Sequence, residues 1–304
     1  MPEAVISEVA PRDGLQSIAG FVPTATKIEL VRLLHAAGLR RIEVGSFVSP
    51  KAVPQMADTG AVLAAALALP GLECTVLAPN RRGFEMAREA GAQRVGLFMS
   101  ITESHNRANV NRSREESFDD LSGIVRDAVA ARMLVRFNLS CAFHCPFEGV
   151  VPEAAALDWV ARTMALDPGI EVAICDTTGN AAPDQVRRVF EHAVRAWPGV
   201  DGGPRLAFHG HDTYGMGVAN AVAAWAAGCR VIDSAAGGLG GCPFAPGATG
   251  NVATEDVAWA MRRMGVPTGI DWARLLEAAD YAAAIPGGMP GGRMRAVPAA
   301  RRAA

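Results

Sequence analysis

Eight short apolar runs, each separated from the next by a longer amphipathic or polar stretch, constrain this 304-residue chain more than any other feature. The runs lie at 4–9, 41–46, 73–77, 94–99, 134–139, 170–174, 205–208 and 230–235, and their length and flanks suit buried strands. Helical spacing fills most of the intervals. One helix starts near Thr24, carries Ile28, Val31, Leu34 and Ala37 on one face and stops at Gly38. Asn80 caps another that ends at Gly91, and Ser113-x-x-Glu116 is a capping box ahead of Phe118, Leu121, Val125 and Ala128. Further helices are expected at 153–166, from Pro183 onward, and at 216–227. The stretch 100–112 is expected to be a polar loop, and 141–149 a loop after the fifth strand.

Strands alternating with helices in units of roughly 30–40 residues, eight times over, close a (β/α)8 TIM barrel. An open doubly wound sheet would place a glycine-rich phosphate loop after its first strand. This chain has Ala10-Pro-Arg-Asp-Gly14 there. A single α/β barrel domain is therefore expected over 1–285, with helices near 252–264 and 271–284 covering it. Residues 286–304 are rich in Gly, Pro, Arg and Ala, show no apolar periodicity, and are expected to form a flexible tail.

Composition excludes several classes. A net charge of −2 provides no field for nucleic acid, and no apolar run approaches the roughly 20 residues of a membrane helix. Residues 1–8 lack the features of a secretory signal, and six scattered cysteines without a C-x-x-C pair suit free thiols, so a cytoplasmic protein is expected.

The barrel supplies a test for the polar residues, because this fold puts its chemistry at the carboxyl ends of the strands. Arg12 and Asp13 follow the first strand, Glu43 is embedded in the second and Ser46 closes it, Asp176 ends the sixth, and His209 and His211 end the seventh. Two histidines two residues apart on a strand face the same side. Each residue has a plainer account by itself: Asp13 as a turn residue, Glu43 as half of an ion pair, Asp176 as a cap. Closure brings their ends to one face, where Asp13, His209 and His211 make an oxygen and nitrogen set suited to Mg²⁺, Mn²⁺ or Zn²⁺.

After the eighth strand, 237–251 is dense in glycine and proline, as a hinged lid would be, and holds Cys242. A thiol there is placed to exchange protons with a substrate; the alternative is a glycine-rich turn containing a small residue. Asn251 either caps the next helix or completes the metal site. The chain has two lysines, Lys27 and Lys51, and only Lys51 lies near the barrel mouth. Carbanion stabilisation by a metal therefore fits better than a Schiff base. Cys141, His144 and Cys145 lack a fourth ligand and are expected to be uncoordinated.

Five segments carry a resemblance that runs in register from about residue 5 to 284: Val9-Ala-Pro-Arg-Asp-Gly-Leu-Gln16, Ser46-Phe-Val-Ser-Pro-Lys51, Val53-Pro-Gln-Met56, His209-Gly-His-Asp-Thr-Tyr-Gly215, and the lid with Gly250-Asn-Val-Ala-Thr-Glu-Asp256. Together they resemble the 3-hydroxy-3-methylglutaryl-CoA lyase family, within the metal-dependent lyase and condensing barrel superfamily. The resemblance implies that Asp13, His209, His211 and Asn251 hold Mg²⁺ or Mn²⁺, which chelates the substrate's 3-hydroxyl and a carboxylate oxygen. It also implies that Asp13 or a histidine takes the hydroxyl proton, Arg12 stabilises the developing oxyanion and Cys242 protonates the enolate. Glu43 and Asp176, and less directly Glu255, would support the metal site and its arginine. The implied partner is an acyl-CoA substrate, with no nucleic acid or membrane, in a homodimer or other homo-oligomer.

The chain departs from the family pattern where the acid would sit. Asn138 stands where the lyase usually has tyrosine, Ala173 where it has serine, and His105 lies in a loop that is usually apolar. The expected reaction is cleavage of 3-hydroxy-3-methylglutaryl-CoA to acetyl-CoA and acetoacetate. The alternatives are lyase action on citramalyl-CoA or a longer 3-hydroxyglutaryl-CoA, a condensing synthase, and a non-catalytic binding protein.

Overall fold

The computed structural model describes residues 1–199, 205–241 and 250–297. Eight parallel strands form a closed barrel: β1 (Val5–Glu8), β2 (Arg41–Ser46), β3 (Glu73–Leu77), β4 (Arg94–Ser100), β5 (Leu134–Ser140), β6 (Glu171–Asp176), β7 (Leu206–Gly210) and β8 (Val231–Ser234). Neighbours in sequence are neighbours in the barrel, and β1 closes it against β8 in the register Val5↔Val231 to Glu8↔Ser234. The (β/α)8 expectation holds.

The outer layer comprises α1 (Thr24–Ala36), α2 (Thr59–Leu67), α3 (Arg81–Glu89), α4 (Glu103–Val110), α5 (Arg114–Ala130), α6 (Glu153–Met164), α7 (Pro183–Ala196), α8 (Gly217–Ala226), α9 (Thr254–Arg263) and α10 (Trp272–Ala283). Asn80 caps α3 by accepting from the Gly83 amide, and Ser113 and Glu116 form the capping box of α5. The apolar core lies between the strands and this layer. Phe208 on β7 packs edge-on against Phe143 and Phe190 there, at centroid distances of 6.5 and 6.0 Å. No helix among the described residues is long and apolar enough to cross a membrane.

Three expectations need correction. The stretch 100–112 is not a loop, because α4 occupies most of it. That helix buries His105 and Asn106 rather than an apolar stripe, so hydrophobic spacing gives no sign of it. Asn106 provides the anchor: its Oδ1 accepts from the Ser100 amide, and its Nδ2 donates to the Arg112 and Ser113 carbonyls and to Ser117 Oγ. In the stretch 141–149, His144–Cys145 pairs with Gly149–Val150 in a small antiparallel hairpin. The third concerns the tail. Residues 286–297 lie against the barrel, where Asp256 at the start of α9 accepts from the Arg293 and Met294 amides and the Gly291 amide donates to the Gly237 carbonyl. Gly238 sits at φ +62° so close to this segment that a Cβ on it would fall 2.8 Å from Gly291 Cα.

The barrel interior is charged. Glu73 on β3 pairs with Arg41 and Arg94, at 2.8 and 3.1 Å. Glu171 on β6 meets Arg41, Arg94 and Arg136, at 2.8, 3.6 and 3.3 Å. Arg136 then reaches Asp233 on β8 at 2.5 Å. Buried charges of this kind persist only when paired and hydrogen-bonded. Here Glu73 and Glu171 each lie between arginines from other strands, and Asp233 takes Arg136 from β5, which also ties the strands together.

Candidate active site

The path of the chain at the carboxyl end of β1 sets the site. The chain leaves β1 through a single π-type turn, Ala10–Gly14, in which the Asp13 and Gly14 amides both donate to the Val9 carbonyl. The turn presents Arg12 and Asp13 over the open end of the barrel. On the neighbouring side, Gly210 leaves room for the ring of Phe208, which a Cβ at that position would meet at 2.6 Å, while His209 and His211 turn toward Asp13. A backbone bridge between His211 and Asn251 then brings in the segment that precedes α9.

His209 Nε2 and His211 Nε2 lie 4.0 and 3.9 Å from the same oxygen, Asp13 Oδ2. One ligand atom from each of these residues falls within 4.8 Å of the others. Asn251 Nδ2 donates to Asp13 Oδ2 at 2.8 Å, so this side chain faces the cluster and does not cap α9, whose N-cap is Ala253. The donor set suits a divalent cation. His209 Nδ1 lies 3.0 Å from Asp233 Oδ2, which places its proton on Nδ1 and leaves the Nε2 lone pair toward Asp13. Asn251 Oδ1 is buried beside the cluster with no hydrogen-bond partner, an acceptor that a cation would satisfy.

The surrounding charges agree with this assignment. Arg12 donates from Nη1 to Asp13 Oδ1 and from Nε to Glu43 Oε2, each at 2.5 Å. One guanidinium thus faces two carboxylates, an excess of negative charge that a dication would balance. Burial alone would raise Asp13, but Arg12, both histidines and the Asn251 amide hold its carboxyl well below the usual range. Burial, together with nearby His209, pushes His211 down to about 4, which keeps the imidazole neutral and able to ligate. Burial also raises Glu43 despite Arg12.

These groups lie in a cavity of about 600 Å³. Its other walls include Ser7, Thr75, Leu77, Phe98, Asn138 and Cys175 from the strands, with His105 and Asn109 from α4. Asn138, placed by sequence near the substrate, does line this cavity, but both ends of its amide are engaged: Oδ1 accepts from Arg136 Nε and Nδ2 donates to the Leu97 carbonyl. His105 lines it as well, with Nδ1 2.5 Å from Ser100 Oγ.

Three residues expected around the site make no side-chain bond to Arg12 or to the ligand cluster, although the Asp176 carbonyl accepts from the His211 amide. Ser46 is buried under α2, its backbone amide and carbonyl both bonded to Thr59 Oγ1. Asp176 accepts from the Asn180 and Ala181 amides and orders the turn after β6; burial pushes it up to about 6, and it makes no bond to Arg12. Glu255 accepts from the Gly237 amide, one turn beyond Asn251. Cys242 lies outside the described residues. The residues that sequence reasoning missed are Arg136, Glu171 and Asp233, although the signal was present. Each is a charge within an apolar run, the same feature that singles out Glu43.

The HMGL-like family model matches residues 3–281. The mitochondrial hydroxymethylglutaryl-CoA lyase of Mus musculus is 43% identical over 92% of this chain and 85% of its own. A 3-hydroxy-3-isohexenylglutaryl-CoA/hydroxy-methylglutaryl-CoA lyase of Pseudomonas aeruginosa is 41% identical over 96% of both. Among solved structures, an HMG-CoA lyase from Acinetobacter baumannii in complex with coenzyme A and 3-methylmalate superposes with a TM-score of 0.89, at 37% identity, over 96% of this chain and 94% of that one. Matching in sequence over nearly its whole length and in fold, the chain belongs to the HMGL-like family and, within it, to the HMG-CoA lyases, which are divalent-metal-dependent carbon–carbon lyases.

Proposed function

We propose that this protein cleaves 3-hydroxy-3-methylglutaryl-CoA to acetyl-CoA and acetoacetate, with Asp13, His209, His211 and Asn251 holding Mg²⁺ or Mn²⁺. The convergence of three ligand atoms on one face of a buried, negatively biased cavity supports this most directly. A divalent cation bound there lowers the pKa of a coordinated hydroxyl and favours negative charge on oxygen.

The protein's own groups account for the remaining steps. The 3-hydroxyl proton goes to Asp13, whose carboxylate has acceptor capacity beyond its bonds to Arg12 and Asn251, whereas His209 already carries a proton on Nδ1 and turns Nε2 toward the cluster. The bond between C2 and C3 breaks as the C3 oxygen becomes a carbonyl, and its electrons pass to the carbon next to the thioester. Arg12, fixed between Asp13 and Glu43, offers a cation to the oxyanion without reorganising. Cys242 returns a proton to that carbon, a role that rests on the family resemblance.

The test is acetyl-CoA release from a panel of 3-hydroxyacyl-CoA thioesters with 3-methyl and longer 3-alkyl substituents, in Mg²⁺, in Mn²⁺ and after chelation. Turnover is expected to be highest with the 3-methyl substrate, to vanish on chelation and to return with either metal. Turnover that survives chelation overturns the assignment.

A further inference from the structure

Beneath the candidate ligands, the ion pairs of the barrel interior end on His209. Asp233 uses a single oxygen, Oδ2, for two partners: it accepts from Arg136 Nη2 at 2.5 Å and from His209 Nδ1 at 3.0 Å. Its other oxygen is buried without a hydrogen-bond partner. An arginine–carboxylate pair serving stability alone favours the bidentate fork, in which both oxygens are used. This pair gives that up, and the geometry it adopts instead aims one oxygen at an imidazole. Arg136 is in turn held on three sides, by Asn138 Oδ1 at 3.0 Å, Glu171 Oε1 at 3.3 Å and Asp233. Its guanidinium therefore has one available orientation, and through it so does Asp233.

We propose that Asp233 and Arg136 are positioning residues for His209. Asp233 accepts the hydrogen bond that keeps the proton on Nδ1, so that Nε2 offers a lone pair to the cation site, and Arg136 holds Asp233 in register. The inference rests on the metal-dependent reading of the site and assigns roles two residues deeper into the barrel. It also gives Asn138 a function that its tied amide would otherwise lack: as a clamp on Arg136, it links the substrate wall to a metal ligand.

The tautomer is measurable without metal or substrate. The chain has six histidines, so His209 can be assigned in ¹⁵N-histidine spectra of the metal-free protein as the imidazole lost in His209→Gln. The wild type is expected to show the Nδ1–H form. In Asp233→Asn the new amide can donate to Nδ1, and the proton is expected on Nε2. Mn²⁺ affinity, read by calorimetry, should then weaken by roughly 10- to 100-fold, the usual scale for a lost partner behind a metal-bound histidine. Arg136→Lys keeps the charge but loses the fork, and should weaken Mn²⁺ binding while leaving the Nδ1–H form in place. If Asp233→Asn fails to fold because Arg136 keeps only the longer contact to Glu171, Arg136→Met/Asp233→Asn removes both charges and is expected to show the same shift of the proton to Nε2. An Nδ1–H tautomer with wild-type Mn²⁺ affinity in the folded Asp233 variant, single or double, overturns the proposal. A wild type that binds no Mn²⁺ overturns the functional reading instead, and the tautomer spectra still decide the role of Asp233.

Discussion

Arg12 shows what a single residue contributes at this site. Its guanidinium donates in two directions at once, to Asp13 and to Glu43, while lining the cavity. Lysine preserves the charge but offers a point donor on a flexible stem, and it cannot hold both carboxylates in the same geometry. Arg12→Lys is therefore expected to fold normally and to lose about 100- to 1,000-fold in kcat, the scale of removing a fixed oxyanion donor. Steady-state kinetics beside a circular dichroism spectrum checks this, and a kcat within a few-fold of wild type would remove Arg12 from the reaction. Asp13, Glu43, His209 and His211 were legible because each is polar at a place where the fold concentrates chemistry. Asp233 and Arg136 carry the same mark, a charge within an apolar run, but not their role, because what gives them meaning is a partner on another strand. Arg136 and Asp233 are 97 residues apart in sequence and meet only when the barrel closes.

At the level of elements, strands announced themselves by apolar runs and most helices by spacing and caps. The exceptions are instructive. α4 hides because its buried face is polar, and α2, Thr-Gly-Ala-Val-Leu-Ala-Ala-Ala-Leu, hides because it is apolar nearly all round. α1 has a second feature that periodicity conceals. Lys27, 2% exposed, donates from Nζ to the Gln55 carbonyl at 2.5 Å and to Asp58 Oδ1 at 2.6 Å. Gln55 Nε2 in turn donates to the Ile18 carbonyl, so one buried ammonium fastens α1 to the loop after β2, and through it to the loop after β1. Removing one member of a buried pair strands the other charge. Lys27→Met should lower unfolding stability by about 3–5 kcal/mol in urea titrations, and adding Asp58→Asn should recover much of that loss. A double variant no more stable than the single one would show that the amine holds the loops mainly through the Gln55 carbonyl.

Across the whole molecule, the seam where β1 meets β8 is closed by a carboxyl group. Glu8 Oε1 accepts from the Ala10 and Ala236 amides at 2.8 and 2.9 Å, and Oε2 accepts from Thr254 Oγ1 at 2.7 Å. It thereby joins the turn that carries Asp13, the end of β8 and the first turn of α9. Burial pushes Glu8 up to about 7 even against these hydrogen bonds, and burial likewise pushes nearby Glu255 up to about 7. Both groups start near 4.5 in the unfolded chain. Between that value and 7 the folded state binds more protons than the unfolded one, so stability falls as pH rises. The contribution is complete below about 4.5 and lost as pH passes through about 7. His211 works in the opposite sense: lowered to about 4 from 6.5, it makes the metal-free fold gain stability as pH rises to 6.5 and adds nothing above that. The loss from Glu8 and Glu255, joined by His209, which Asp233 raises above the usual imidazole range against burial, should therefore stand out between about pH 6.5 and 8, as a falling Tm of the metal-free protein. Glu8→Gln keeps an acceptor for both amides and cannot ionise, so it should flatten part of that fall and leave the share of Glu255 and His209. A wild-type Tm that holds level or climbs across this window would mean that the seam carries its carboxylates charged.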